Sequence, residues 1–225
     1  MSGPLDRRTT LLAIDSATTR VVVALGTRTG ALIEATDWPA GYRHGETLLP
    51  AIASLLDRLE IDRSSLAAVV VGTGPGAFTG LRVGLATAKG LAHALAVPII
   101  GISTAVALLD GAPAGTVLLL PAGPADRIVV RRGDPARLQS AGEELPRTDD
   151  GMLVAVDLDG RAPAGALERG ETARARLGAA LIALGAARLA AGDVDDLARL
   201  VPEYVTLPRG VTGTSGEVSW SRDLR

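Results

Sequence analysis

The chain has 225 residues, of which 47% are hydrophobic and 21% charged, and its formal net charge is −2. This hydrophobic content excludes a disordered chain, and the charge balance argues against a module that binds nucleic acid by itself. Cysteine is absent, which excludes a disulfide framework and a thiolate-rich metal site. The first residues lack a signal-peptide pattern and no apolar stretch is long enough to span a membrane, so we predict a cytoplasmic α/β protein.

The first hundred residues show a change of hydrophobic period that predicts the order β-β-β-α-β-α-β. Strands are predicted at 11–14, 21–25, 31–36, 66–71 and 99–102, and helices at about 48–59 and 78–96. Thr47 is predicted to cap the first helix, which places Pro50 in its first turn. Short connections join antiparallel strands, whereas parallel strands need a longer crossover. We therefore predict a mixed sheet with helices packed on it.

A glycine- and proline-bearing stretch near residues 111–115 predicts a domain boundary. We place a first domain at 1–110, a smaller second domain at 111–208 and a mobile tail at 209–225. The second domain is predicted to contain strands at 116–120, 126–131 and 152–157, a long helix at about 172–191 and a short helix near 193–200. Gly178 and Gly185 weaken the long helix but are predicted to allow another backbone to approach it closely.

The segment AIDSATTR places Asp15, Ser16 and Thr18 in the turn between the first two predicted strands. Hydroxyl and backbone N–H groups in such a turn can hold a phosphate, and a carboxylate can hold its Mg²⁺ through water. Here Ser16 and Ala17 carry Cβ atoms that crowd a close approach by a phosphate. We interpret the segment as a structural turn, with a vestigial nucleotide-binding turn as the alternative.

The segment VGTGPGAFTGLRVGLATAKGLA leads from a predicted strand into a predicted helix. Its glycine-rich loop consists of Gly72, Gly74, Pro75, Gly76, Thr79 and Gly80. The N-terminus of a helix favours an anion, but neither the dinucleotide fingerprint nor the Walker A motif fits, and Pro75 removes one backbone donor. We therefore predict that the loop packs tightly against a neighbouring surface with Phe78 as its apolar anchor, and keep phosphate binding as the alternative.

The two predicted helices of the first domain carry more apolar surface than one sheet would cover. The second of them is apolar around most of its circumference, with a basic face. We predict that they form an interface with a partner chain; the alternative is a solvated basic face over an ordinary core. The predicted interface residues are Leu48, Leu49, Ile52, Leu55, Leu56, Phe78, Arg82, Lys89 and His93.

Other candidate catalytic and metal-binding residues are few. His44 and His93 are the only histidines and lack the spacing of a metal site, so we predict that His44 orders the loop before the first helix. Asp157 and Asp159 offer a candidate carboxylate pair, but a turn before Gly160 explains them better. We predict neither a metal site nor a catalytic residue in this chain.

Four segments carry a resemblance to a known family: LLAIDSATTRVVVALG, HGETLLPAIASLL, GTGPGAFTGLRVGLATAKGLA and VPIIGISTAVAL. On these segments, which lie between residues 10 and 109, the chain resembles the TsaB (YeaZ) family of the bacterial tRNA threonylcarbamoyladenosine (t6A) machinery. Beyond residue 110 the resemblance is limited to PEYV. Ala77 stands where the family usually has serine, and PAGPADRIVVRR replaces the family's usual Asp-Ala-Arg segment and following aromatic residue.

This resemblance implies an α/β actin-like fold of the ASKHA (Hsp70/acetate-kinase) type, with two lobes of mixed sheets flanked by helices and a reduced second lobe. It implies a non-catalytic subunit that supports a larger, homologous TsaD-like subunit, which transfers threonylcarbamoyl to N6 of adenosine 37 in tRNA. A small TsaE-like P-loop ATPase would engage the pair, the chain would form a homodimer when alone, and tRNA would be contacted only through the complex. ATP and metal would belong to the partner subunits, with no cofactor bound by this chain.

Two other functions remain open at this point. One is a stand-alone actin-like ATPase or small-molecule kinase that uses Asp15 and the glycine-rich loop. The other is a peptidase. It is the least favoured function, because the only two histidines lack the spacing of a metal site.

Overall fold

The computed structural model describes residues 8–39, 44–148 and 151–205. Nine strands lie within these ranges: β1 (Thr10–Asp15), β2 (Arg20–Thr27), β3 (Leu32–Pro39), β4 (Leu66–Gly72), β5 (Ile99–Ile102), β6 (Val117–Ala122), β7 (Asp126–Arg131), β8 (Arg137–Gln139) and β9 (Leu153–Ala155). The helices of these ranges are α1 (His44–Arg58), α2 (Phe78–Leu95), α3 (Thr104–Leu108), α4 (Ala164–Ala190) and a 3-10 turn at Arg63–Ser65. The predictions for the His44 side chain and for the tail at 209–225 lie outside the described residues.

The first sheet has the strand order β3-β2-β1-β4-β5. β1 pairs antiparallel with β2 and parallel with β4, and β4 pairs parallel with β5 through the α2 crossover. β1 and β4 are buried along their whole length, which is why their sequences are nearly continuous apolar runs. The predicted order β-β-β-α-β-α-β and the mixed sheet are confirmed.

The second sheet has the order β8-β7-β6-β9, and α4 packs against both β9 and the first sheet. An ideal Cβ on Gly185 would lie 2.4 Å from Val70 Cγ2, and one on Gly178 would lie 3.1 Å from Ala24 Cβ. Side chains of the first sheet, rather than the predicted backbone, therefore approach α4 closely at both glycines. One apolar cluster contains residues of both sheets, such as Leu11 and Leu118, so α4 and the two sheets share a core. The domain boundary near residue 111 therefore stays a prediction.

The opposite face of the first sheet is covered by α1 and α2, which also contact each other. α1 begins at His44, earlier than predicted, so Thr47 is not its N-cap and Pro50 lies inside the helix. The Thr47 hydroxyl instead accepts a hydrogen bond of 3.2 Å from Trp38 Nε1 on β3. This bond ties the first turns of the helix to the edge strand of the sheet.

Two further elements differ from the prediction. α4 begins at Ala164 rather than near residue 172. Gly165 and Gly170 lower the helix propensity of this first part, so the sequence did not predict it, but tertiary packing makes it helical. The predicted helix near 193–200 is wrong: Asp195 forms a β-bridge with Ile99, and its carboxylate accepts a hydrogen bond of 2.7 Å from Gly101 N. The Asp196 carboxylate also accepts bonds of 2.8 and 3.0 Å from Ala198 N and Arg199 N, and local side-chain bonds of this kind compete with helix formation. No helix of the described ranges is long and apolar enough to cross a membrane.

Candidate functional site

The candidate site is the junction between the β1–β2 turn and the glycine-rich loop. Asp15 ends β1 and is fully buried. The Thr104 hydroxyl donates a hydrogen bond of 2.6 Å to Asp15 Oδ2, and Ala17 N donates one of 2.9 Å to Oδ1. Burial outweighs these two bonds and raises the pKa of Asp15 to about 6. Thr104 also accepts a bond of 3.0 Å from Gly74 N, so its hydroxyl links the carboxylate to the loop.

The other residues of the predicted nucleotide turn are also bonded within the chain. The Ser16 hydroxyl donates a hydrogen bond of 2.8 Å to Gly80 O, at the start of α2. The Thr18 hydroxyl donates one of 2.9 Å to Arg20 O. Ser16 and Thr18 are both buried. These contacts favour the interpretation of this segment as a structural turn.

The glycines of the loop allow its backbone to contact the backbone of the β1–β2 turn directly. A Cβ on Gly76 would lie 2.1 Å from Ala17 O, and one on Gly72 would lie 1.8 Å from Asp15 Oδ2. Ala77 N donates a hydrogen bond of 2.7 Å to Ala17 O, which fixes the separation of the two backbones. These distances support the predicted packing role of the loop, because no side chain fits between the two segments.

A segment at 201–205 covers the loop from outside, and sequence reasoning missed this role of PEYV. Glu203 N donates a hydrogen bond of 2.7 Å to Thr73 O, and the Glu203 carboxylate accepts one of 3.1 Å from the Ser103 hydroxyl. Partial burial raises the pKa of Glu203 above its usual range. The Tyr204 ring lies 5.1 Å from the Phe78 ring, so Phe78 contacts this segment, and its role as the anchor of the loop stays a prediction.

The basic face of α2 also lies beside the C-terminal segment. The Arg82 guanidinium lies 4.3 Å from the centre of the Phe78 ring, and its Nε donates a bond of 3.3 Å to the Tyr204 hydroxyl. Lys89 Nζ donates a bond of 3.4 Å to Ala198 O. His93 is exposed. Arg82 and Lys89 therefore contact residues of the chain's own segment after α4, and the interface stays a prediction for them.

The predicted apolar interface on α1 requires a correction. Leu48, Ile52 and Leu55 are 1%, 4% and 1% exposed, because they pack against the chain's own sheet and α2. They are core residues and cannot form an accessible surface. Leu49 is 51% exposed and Leu56 is half-buried, so the interface stays a prediction for these two.

A cleft of about 610 Å³ lies between the glycine-rich loop and α3 on one side and the β7–β8 turn on the other. Pro75, Val106 and Tyr204 contribute apolar walls, and Arg131 and Arg132 contribute positive charge. No group of three His, Asp or Glu side chains in the described part of the chain is arranged to hold a metal ion.

Comparison with known proteins gives three findings. A family model described as "TsaD: tRNA N6-adenosine threonylcarbamoyltransferase" matches residues 39–163. An uncharacterized protein of Mycobacterium tuberculosis is 39% identical over 94 residues, which are 41% of this chain and 44% of that protein. The tRNA threonylcarbamoyladenosine biosynthesis protein TsaB of Escherichia coli is 34% identical over 102 residues, 45% of this chain and 43% of that protein.

The structural comparison covers more of the chain. YeaZ from Pseudomonas aeruginosa superposes with a TM-score of 0.65 over 87% of this chain and 100% of the YeaZ chain, at 22% identity. This likeness shows the fold, and the predicted actin-like architecture is confirmed. The sequence matches are shorter: the aligned part of the chain spans less than half the length of these curated relatives.

Proposed function

Because the chain belongs to the TsaD family by its matched domain, and within it to the TsaB (YeaZ) group, we propose that it takes part in tRNA threonylcarbamoyladenosine biosynthesis as a non-catalytic scaffold. It supports a larger TsaD-like subunit that transfers threonylcarbamoyl to N6 of adenosine 37 in tRNA. A small TsaE-like ATPase engages the pair, and the chain pairs with itself when the larger subunit is absent. ATP and metal are held by the partner subunits, and tRNA is contacted only through the complex.

The state of Asp15 is the observation that carries the non-catalytic part of this proposal. A carboxylate that positions Mg²⁺ and phosphate must present an oxygen to the ligand. Asp15 is fully buried, and both of its oxygens accept hydrogen bonds from Thr104 and Ala17. Gly76 and Ala17 are in backbone contact where a phosphate would have to enter. This geometry supports a scaffold rather than a stand-alone ATPase or kinase.

The outer face of α1 supports the binding of a partner. Leu49, Ala53 and Leu56 are spaced i, i+4 and i+7, so they lie along one face of the helix. Leu49 and Ala53 are exposed and Leu56 is half-buried, whereas Leu48, Ile52 and Leu55 point into the core. Burial of such an apolar stripe stabilises a complex by about 25 cal/mol per Å² before the cost of association. We propose that the larger subunit contacts this stripe.

Leu49→Glu tests the proposed interface. We expect it to weaken binding to the TsaD-like subunit at least tenfold, roughly 1.4 kcal/mol, because it places a charge in the centre of an apolar contact. The Tm of the isolated chain should stay unchanged within about 2 °C, since Leu49 is exposed. Binding is measured by titration calorimetry with the purified larger subunit.

Ser54→Glu is the matched control, because Ser54 is exposed on another face of the same helix and receives the same charge. It should bind as the natural chain does. Equal binding by both variants, or equal weakening by both, would place the interface elsewhere and contradict this part of the proposal.

A further inference from the structure

One interaction joins three distant parts of the chain at the β1–β2 turn. Thr19 lies at the tip of the turn; its backbone N–H donates a hydrogen bond of 2.7 Å to Asp157 Oδ2, and its hydroxyl donates one of 2.6 Å to Oδ1. Arg174 Nη1, on α4, donates a third bond of 2.8 Å to Asp157 Oδ1. Asp157 follows β9 of the second sheet. A single carboxylate therefore connects the first sheet, the second sheet and the long helix.

The backbone of Asp157 lies in an uncommon conformation. Its φ angle is +58°, in the left-handed region that residues other than glycine seldom adopt. Its side chain is only 4% exposed. Aspartate tolerates this conformation better than most residues other than glycine. The three donors that meet the carboxylate hold the side chain in place.

The donors form a set that recognises an oxyanion. A backbone N–H, a hydroxyl and a guanidinium that converge on one point bind carboxylates and phosphates through charge-assisted hydrogen bonds. Arg174 also pairs with Glu171, which is exposed, and Arg161 donates a bond of 3.3 Å to the backbone oxygen of Asp157. Thr19 is exposed, so the donors can be reached from solvent once the carboxylate is removed.

We propose that Thr19 and Arg174 form an oxyanion-binding site for a carboxylate or phosphate group, and that the side chain of Asp157 closes this site from within. The internal anion replaces an external one, since its two oxygens already accept all three bonds. It also fixes the turn, because removal of the carboxylate leaves the three donors without their shared acceptor. The inference concerns the isolated chain and does not depend on the proposed partner.

Asp157→Gly tests this site, since glycine accepts a φ of +58° and removes only the carboxylate. We expect the variant to lose several degrees of Tm, and sodium formate or inorganic phosphate to restore them, relative to chloride at equal ionic strength. The natural chain should not respond to either anion. The double variant Asp157→Gly/Arg174→Gln should lose the response to both. Asp159→Gly, an exposed aspartate near Asp157, should show neither the loss nor the recovery.

Recovery by formate, by phosphate or by both supports the site, and their relative effects distinguish a carboxylate site from a phosphate site. Absence of recovery, equal recovery with chloride, or a full response in the double variant would overturn the proposal. If Asp157→Gly does not fold, Asp157→Ala, which also removes the carboxylate, provides a second measurement with the same anions. The same recovery is expected, and its absence would equally overturn the proposal.

Discussion

Gly76→Ala is expected to lower the free energy of unfolding by about 3 kcal/mol, near the upper end of the usual effect of overpacking. The new Cβ would lie 2.1 Å from Ala17 O and 2.8 Å from Ala17 C. Both are backbone atoms of the buried β1–β2 turn, and the bond from Ala77 N to Ala17 O holds them in place. These backbone atoms cannot move aside as the end of a flexible side chain would. The loop and the turn must therefore separate to make room for the new Cβ.

Gly90→Ala is the matched control for this prediction. Gly90 is an exposed residue of α2, and a Cβ there would have no neighbour within 4 Å. Alanine in a helix is more favourable than glycine by about 0.5–1 kcal/mol, so this variant should be as stable as the natural chain or slightly more so. Denaturant unfolding of both variants gives the comparison. Equal stability of the two variants would contradict the close backbone packing between the loop and the β1–β2 turn.

The same loop shows how far the sequence alone can be interpreted. Its glycines predict either an anion site or close packing, because both need the absence of side chains. The structure favours packing, since Gly72 and Gly76 face Asp15 and Ala17 rather than open space. The decisive partner, Thr104, is 89 residues from Asp15 along the chain. No local pattern identifies such a contact.

The strands β1, β2 and β4 of the first sheet could be predicted because they are buried on both faces. The run of residues 66–71 is apolar without interruption, and its length and flanking residues distinguish it from a helix. β8 was not predicted, because its three residues, RLQ, carry too short a pattern. The acidic segment after α4 was predicted as a helix, but tertiary hydrogen bonds to Asp195 determine its structure.

The division of α1 into a core face and an outer face could not be predicted from the sequence. Leu48, Leu49, Ile52, Leu55 and Leu56 form one broad stripe, and a stripe that wide does not reveal which edge faces the chain's own sheet. The structure places Leu48 at 1% exposure and Leu49 at 51%. The Asp157–Thr19 contact was missed for a related reason, because its partners are 138 residues apart.

Asp15→Asn is expected to remove a large part of the pH dependence of stability. The pKa of Asp15 rises from 3.8 to about 6 on folding, chiefly because burial disfavours the charged form. Between these two pH values the folded chain binds more protons than the unfolded chain, so stability falls as the pH rises. Above pH 6 the ionised carboxylate weakens the folded state by about 3 kcal/mol relative to acid conditions.

The measurement compares the natural chain with Asp15→Asn by denaturant unfolding from pH 4 to pH 8. The amide has nearly the same shape, and its NH₂ group can donate to the Thr104 hydroxyl in place of the bond that Asp15 accepts. The difference in unfolding free energy, natural chain minus variant, should fall as the pH rises to about 6 and stay constant above it. A difference that does not change with pH would contradict the raised pKa.

The same variant separates the scaffold from an enzyme. A scaffold does not use the charge of Asp15, so Asp15→Asn should retain threonylcarbamoyladenosine formation when assayed with the larger subunit, the ATPase and tRNA. A catalytic Asp15 would position Mg²⁺ and phosphate through that charge, and its neutral amide would reduce activity by orders of magnitude without loss of folding. A folded Asp15→Asn chain that binds the larger subunit but yields no modified tRNA would therefore contradict the non-catalytic role.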